Sequence, residues 1–174
     1  AIDAVWPRRG PLIYLTPRGK VLDQAMVRRY AAEPELTLLC GRYEGVDERF
    51  IQRNVDVELS VGDFVVSGGE LPALLIMDAV VRQIPGAMNS QESVECDSFM
   101  DGLLDCPHYT VPRDYQDAKV PEVLFSGNHE QIRKWRLQQS LWRTYQRRPE
   151  LLQTRKLTKE ESRLLSEMLA KSQD

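Results

Sequence analysis

The sequence predicts an α/β domain on a parallel sheet over residues 1–88, a linker at 89–97, and a small, basic, helical domain over 98–174. Three observations carry that expectation. Short apolar runs of strand length alternate with segments of helical period through the first 88 residues, the pattern of successive βαβ units. Each run ends at a glycine-containing turn. Beyond residue 128 the period is helical and the charge turns strongly basic.

Pro11–Leu15 (PLIYL) reads as a strand closed by the turn signal Thr16-Pro17-Arg18-Gly19. Asp23–Glu33 places Met26, Val27 and Tyr30 on one helical face, and Leu36–Cys40 (LTLLC) is a second buried-type strand ending at Gly41. Val46–Arg53 reads as a helix and Val55–Val61 alternates as a strand. Asp63–Val66 continues extended until Ser67-Gly68-Gly69 breaks the chain. Leu71–Ile84 is apolar nearly all round and is expected to be a buried helix; its only charges, Asp78 and Arg82, lie one turn apart. Pro85-Gly86 stops it, and the polar run 89–95 (NSQESVE) is expected to be a mobile loop. His129–Arg147 is a long helix with Ile132, Trp135, Leu137, Leu141 and Tyr145 on its apolar side. Thr158-Lys159-Glu160-Glu161 is a capping box opening a last helix with Leu164, Leu165, Met168 and Leu169 inward.

With 174 residues, 42% hydrophobic and 28% charged, the chain can bury a core, which excludes disordered, collagen-like and disulfide-scaffold proteins. No apolar run approaches the ~20 residues of a membrane-spanning helix, and AIDAVWPRRG has no signal-peptide stretch. A cytoplasmic protein with no membrane partner is expected. Cys40, Cys96 and Cys106 form no C-x-x-C pair, and His108 and His129 are far apart, so neither a disulfide framework nor a structural zinc site is indicated. A start at Ala1, already inside a Pro/Arg stretch, leads us to expect residues before it. Residues 128–157 hold eight basic side chains against two acidic ones, a +6 segment in a chain of net charge −3. That is either the electrostatic footprint of a polyanion site or a solvated helix face.

Three glycine-bearing loops leave strands at their C-terminal ends, at residues 16–19, 41–45 and 62–69, where ligands sit in open α/β sheets. None is G-x-G-x-x-G or a P-loop, so backbone-lined loops with few charges suit an adenosine-like ligand better than a polyphosphate. Arg82 is either the structural partner of Asp78 or a cation aimed at developing negative charge. Asp97, Asp101 and Asp105 recur every four residues; on a helix they would repel one another and raise a pKa, as a general base needs. Asp97 equally fits an N-cap for Ser98–Leu104. Spacing does not choose among the three.

LTPRGKVLDQ near the start, then GRYEGVDER (41–49), SVGDFVVSGGELPAL (60–74), DSFMDGLLDCPHYT (97–110) and SGNHEQIRKWRLQQSL (126–141), resemble, in the same order, the bacterial tRNA (guanine-N1)-methyltransferases. The resemblance runs from about Tyr14 to the end. It implies a SPOUT-class enzyme with a deep trefoil knot in its α/β domain, acting as a homodimer with active sites at the subunit interface. The methyl of S-adenosyl-L-methionine would go to N1 of the guanine at tRNA position 37, next to the anticodon. Carried over by position, the cofactor pocket would use Leu15, Pro17, Gly41, Tyr43 and Glu44, then Ser60, Val61, Gly62, Asp63, Phe64, Val65 and Val66. Gly68, Gly69 and Pro72 would complete it. Asp97 matches the family's general base and Arg82 its assisting arginine. Arg133, Arg136, Arg143 and Arg147 would hold RNA, and Mg2+ would be required, with Glu44 a conceivable ligand. Phe64 stands where the family commonly has Tyr and Val111 where it often has Arg, and the family has a further α/β segment ahead of this chain's start. A non-catalytic RNA-binding fragment of the same fold is the alternative.

Overall fold

The computed structural model describes residues 10–88 and 97–172, which fall into two compact units divided between Val94 and Glu95. The 89–95 loop expected from sequence lies outside the described residues.

The first unit is a three-stranded parallel sheet in the order β2-β1-β3, with β1 Leu12–Val21, β2 Thr37–Cys40 and β3 Val57–Ser60. Helices α1 (Gln24–Ala31), α2 (Glu48–Asn54) and α3 (Glu70–Val81) connect and follow the strands. Local chemistry sets their starts: the Asp23 carboxylate accepts from Met26 N at 2.8 Å, and Asp47 accepts from Arg49 N at 2.8 Å. β1 is central and its Leu12 and Ile13 are fully buried; Ile13, Leu15, Leu59, Met26, Val27, Tyr30 and Ile76 belong to one core.

The Thr16–Gly19 turn does not close β1. Leu15 and Lys20 both pair with Leu59, so residues 16–19 loop out of the ladder before the strand resumes. Gly19 is required there, because a Cβ would lie 2.3 Å from Leu59 N. Residues 63–66, expected to be extended, begin in a bend at Asp63 and Phe64 and add no strand. Helix α3 is also not buried all round. Pro72, Ala73, Ile76 and Val80 face the core, while Leu71, Leu74, Leu75, Met77 and Val81 are exposed. Composition alone hides this two-sidedness, because both faces are apolar.

The second unit is mainly helical: α4 His129–Arg147, α5 Pro149–Thr154 and α6 Lys159–Lys171, preceded by a hairpin of β4 (Asp114–Tyr115) and β5 (Ala118–Lys119) and a 3-10 turn at Glu122–Phe125. Leu103, Leu141 and Leu164 make its core, with Leu137, Leu152, Leu157 and Leu165 against them. The capping box on α6 forms as expected, Thr158 Oγ1 accepting from Glu161 N and Glu161 Oε2 from Thr158 N. On α4 the expected apolar Tyr145 is exposed, stacked on Trp142 at 5.7 Å, and the position fully buried one residue earlier is Thr144. Among the described residues no helix is long and apolar enough to cross a membrane.

Candidate active site

The bulge of β1 and the loops after β2 and β3 converge on one cavity of about 370 Å³, within the ~300–1,000 Å³ of small-molecule sites. Tyr14, Leu15 and Pro17 come from the first segment; Gly41, Tyr43 and Glu44 from the second; Ser60, Val61, Phe64, Val65, Val66, Gly68, Gly69 and Pro72 from the third. The structure thus brings together every cofactor position expected from sequence except Gly62 and Asp63, which do not line the cavity. Gly62 serves the loop instead: its N–H donates to Ser60 Oγ and its carbonyl accepts the Ser60 hydroxyl at 2.8 Å.

Close backbone contact builds the floor. Gly69 N donates to Gly41 O at 3.1 Å, and a Cβ on Gly69 would fall 2.7 Å from Cys40 Cα. Burial, with Glu70 nearby, pushes the Cys40 thiol up, so it stays protonated at neutral pH. Two cations reach the cavity, and both are matched: Arg42 Nε meets Glu70 at 2.6 Å, and Arg18 meets Glu58 at 3.2 Å. A site with its cations paired, a Glu44 carboxylate and the Thr16, Ser60 and Ser67 hydroxyls among otherwise apolar and backbone walls suits a nucleoside better than a polyphosphate. Tyr14 and Arg42 were not singled out in the sequence; Tyr14 carries a readable signal, because it sits in the β1 run just before Leu15.

Tyr43 is fully exposed and holds φ 54°, a left-handed conformation that costs a non-glycine residue about 1–2 kcal/mol. The strained residue lies on the loop that lines the cavity.

Arg82 caps the C-terminus of α3 and does not line the cavity. Asp97 belongs to the second unit. The three carboxylates at four-residue spacing are not on a helix, because residues 97–104 form turns and bends. Their environments therefore differ. Asp101 Oδ1 accepts from Leu103 N at 3.0 Å. Burial pushes the Asp105 carboxyl up, but hydrogen bonds from His108 and from Cys106 N outweigh it and hold it below its ordinary range. The mutual repulsion that would raise a pKa on a helix is absent at Asp105, which removes the case for it as a base.

The model of the tRNA (Guanine-1)-methyltransferase TrmD family matches residues 1–154. The chain belongs to this family. Curated relatives named tRNA (guanine-N(1)-)-methyltransferase are 62% identical over 158 residues in Aromatoleum aromaticum, 61% over 156 in Chromobacterium violaceum and 56% over 174 in Pseudomonas paraeruginosa. The alignments cover 91%, 90% and 100% of this chain, but the chain spans only 60%, 61% and 69% of those relatives.

Of the four arginines that the family resemblance assigned to RNA, Arg133 is engaged twice, by Glu130 on its own helix at 2.9 Å and by Glu160 on α6 at 2.7 Å. Arg136, Arg143 and Arg147 form no ion pair among the described residues. Tyr109 packs near Trp135 on the same helix, with ring centroids 6.2 Å apart. Glu44, the Mg2+ ligand that the resemblance offers, lines the cavity. Asp105, Cys106 and His108 form the one cluster of three His, Cys or carboxylate donors among the described residues, and its thiol and imidazole are not the oxygen ligands that Mg2+ prefers.

Proposed function

We propose that this chain binds S-adenosyl-L-methionine in the three-loop cavity and serves methyl transfer to N1 of guanine at position 37 of tRNA. The observation that carries this reading is the cavity itself, which gathers the Gly41, Ser60 and Gly69 loops at the carboxyl ends of parallel strands. The bound cofactor supplies an electrophilic methyl on a sulfonium. Tyr14, Leu15, Phe64, Val66 and Pro72 enclose its adenosine, and the close-packed backbone of Gly41 and Gly69 lets it approach without a side chain intervening. A trefoil-knotted path for this domain is part of the proposal, supported by the seating of Gly69 against Cys40 and Gly41.

N1 of guanine carries a proton and lies on the pairing edge, so the base must leave its stack to react. As the N1–methyl bond forms and the methyl–sulfur bond breaks, the N1 proton passes to the Asp97 carboxylate. The Arg82 guanidinium stabilises the negative charge that spreads to O6. Arg136, Arg143 and Arg147 hold phosphates and fix the register of the RNA, while Arg133 stays tied to Glu130 and Glu160.

A homodimer in the cytoplasm, with each site completed at the subunit interface, is part of the same proposal. Its support is the exposed apolar side of α3, where Leu71, Leu74, Leu75, Met77 and Val81 lie together and Arg82 caps the end.

The test is titration with S-adenosylhomocysteine and sedimentation of the intact protein, then methyl transfer to tRNA carrying guanine or adenine at position 37. Saturable binding and methylation of the guanine tRNA alone are expected. No binding, or equal methylation of both tRNAs, overturns the reading.

A further inference from the structure

The segment that carries Asp97 is a closed turn, internally bonded. Met100 N donates to Asp97 O at 3.3 Å, Phe99 N to Leu103 O at 2.8 Å, and Asp105 N to Ser98 Oγ at 2.9 Å. Those bonds fix its shape, but they do not fix where it sits. Contacts from outside the turn do, among them the Arg148 guanidinium, which lies over the Phe99 ring at 5.6 Å from its centroid. Leu103 enters the core between Leu141 and Leu164. The Arg155 guanidinium, paired with the buried Glu161 of α6, reaches Asp101 at 3.5 Å. And the Thr144 hydroxyl of α4, fully buried, accepts Leu104 N at 2.8 Å while donating to Ser140 O at 2.7 Å.

Of the contacts that join the turn to α4, the Thr144 hydrogen bond is the directional one. Leu103 is an apolar contact and tolerates sliding, Arg155 holds a half-exposed carboxylate at long range, and Arg148 meets Phe99 only across its ring face. A hydroxyl inside a leucine core with its donor and acceptor roles both used is, by contrast, directional and costly to leave half-satisfied. Thr144 lies three residues before Arg147 and one after Arg143, on the helix that carries the arginines assigned to RNA.

We propose that Thr144 is a positioning residue for methyl transfer: its hydroxyl sets the Asp97-bearing turn on the arginine-bearing helix, so that the base and the RNA-gripping side chains are held as one rigid piece. The proposal rests on the reading of Asp97 as the base. Thr144 touches neither substrate nor cofactor; it acts through the placement of Asp97.

The experiment uses the intact protein with Thr144→Val, which keeps the shape and removes the hydroxyl, and Thr144→Ser, which keeps the hydroxyl. Single-turnover methyl transfer to tRNA is measured in both, and again with each change placed in an Asp97→Ala background. Misplacing a catalytic group by about 1 Å can cost ~100-fold, so Thr144→Val is expected to slow the step by roughly 10- to 100-fold. Dissociation constants for tRNA and S-adenosylhomocysteine should stay within about twofold, and Thr144→Ser should recover most of the rate. In the Asp97→Ala background Thr144→Val should change nothing further. An unchanged rate in Thr144→Val overturns the proposal, as does a parallel loss of tRNA affinity or an equal loss in the Asp97→Ala background. If Asp97→Ala alone leaves the rate intact, the reading of Asp97 as the base fails, a result separate from any of these.

Discussion

At position 69 the backbone leaves no room for a side chain. A Cβ there would lie 2.7 Å from Cys40 Cα and 3.2 Å from Gly41 N, both backbone atoms that cannot swing aside. Gly69→Ala is therefore expected to part the third loop from the second, lowering stability by about 1–3 kcal/mol and weakening S-adenosylhomocysteine binding more than tenfold. Thermal melting and calorimetric titration check both. Tyr43 presents the opposite case: a strained backbone under a fully exposed ring. Tyr43→Gly relieves the φ 54° conformation while removing the ring, so the melting temperature should hold while cofactor affinity falls. A fall in both would show that the ring supports the fold rather than the ligand.

Among elements, the joint between α4 and α6 is built from charge at its rim and leucine at its centre. Hydrogen bonds from Arg133 and then Lys134 hold the Glu130 carboxyl down to about 2, and Arg133 also reaches Glu160. At Glu161 burial pushes the carboxyl up, but bonds from Thr158 N and Arg155 prevail and keep it low. A carboxylate with a depressed folded-state pKa contributes stability that is present above its ordinary value, 4.5 for these groups, and is lost as pH falls through the folded value. The melting temperature should therefore drop as pH falls from about 4.5 toward 2, with little change between pH 6 and 8 from these groups. Glu130→Gln should flatten part of that drop; an unaltered acid limb would show that the pairs contribute nothing. The same elements indicate what sequence could and could not reveal. The capping box at Thr158–Glu161 and the strands PLIYL and LTLLC were legible because propensity and pattern are local. The bulge at 16–19 was not, since it exists only because Lys20 and Val21 pair again with β3, some forty residues on. The four-residue spacing of Asp97, Asp101 and Asp105 would make one face on a helix, whereas the side chains of Ser98, Asp101 and Asp105 bond to nearby backbone N–H groups in a turn. Thr144 gave no signal at all, a polar residue in a polar helix whose burial depends on where Leu104 lies.

For the whole molecule the decisive surface is α3. Sequence reading made this helix buried on every side, and within one chain half of that burial is missing: Leu71, Leu74 and Leu75 are each about half exposed or more. An apolar stripe of that kind on a folded chain calls for a covering surface, and a second copy offers a self-complementary one. Because Leu74 and Leu75 make no part of the single chain's core, Leu74→Lys with Leu75→Lys should leave each subunit folded. Sedimentation of the intact protein is expected to turn from the proposed dimer to a monomer. The three loops that form the cavity all come from one chain, so S-adenosylhomocysteine should still bind, within about tenfold. On the proposal that each site is completed at the subunit interface, methyl transfer should fall by about 100-fold or more. A double variant that stays dimeric would remove α3 from the interface, and a monomer that methylates tRNA at the native rate would place the whole reaction within one subunit.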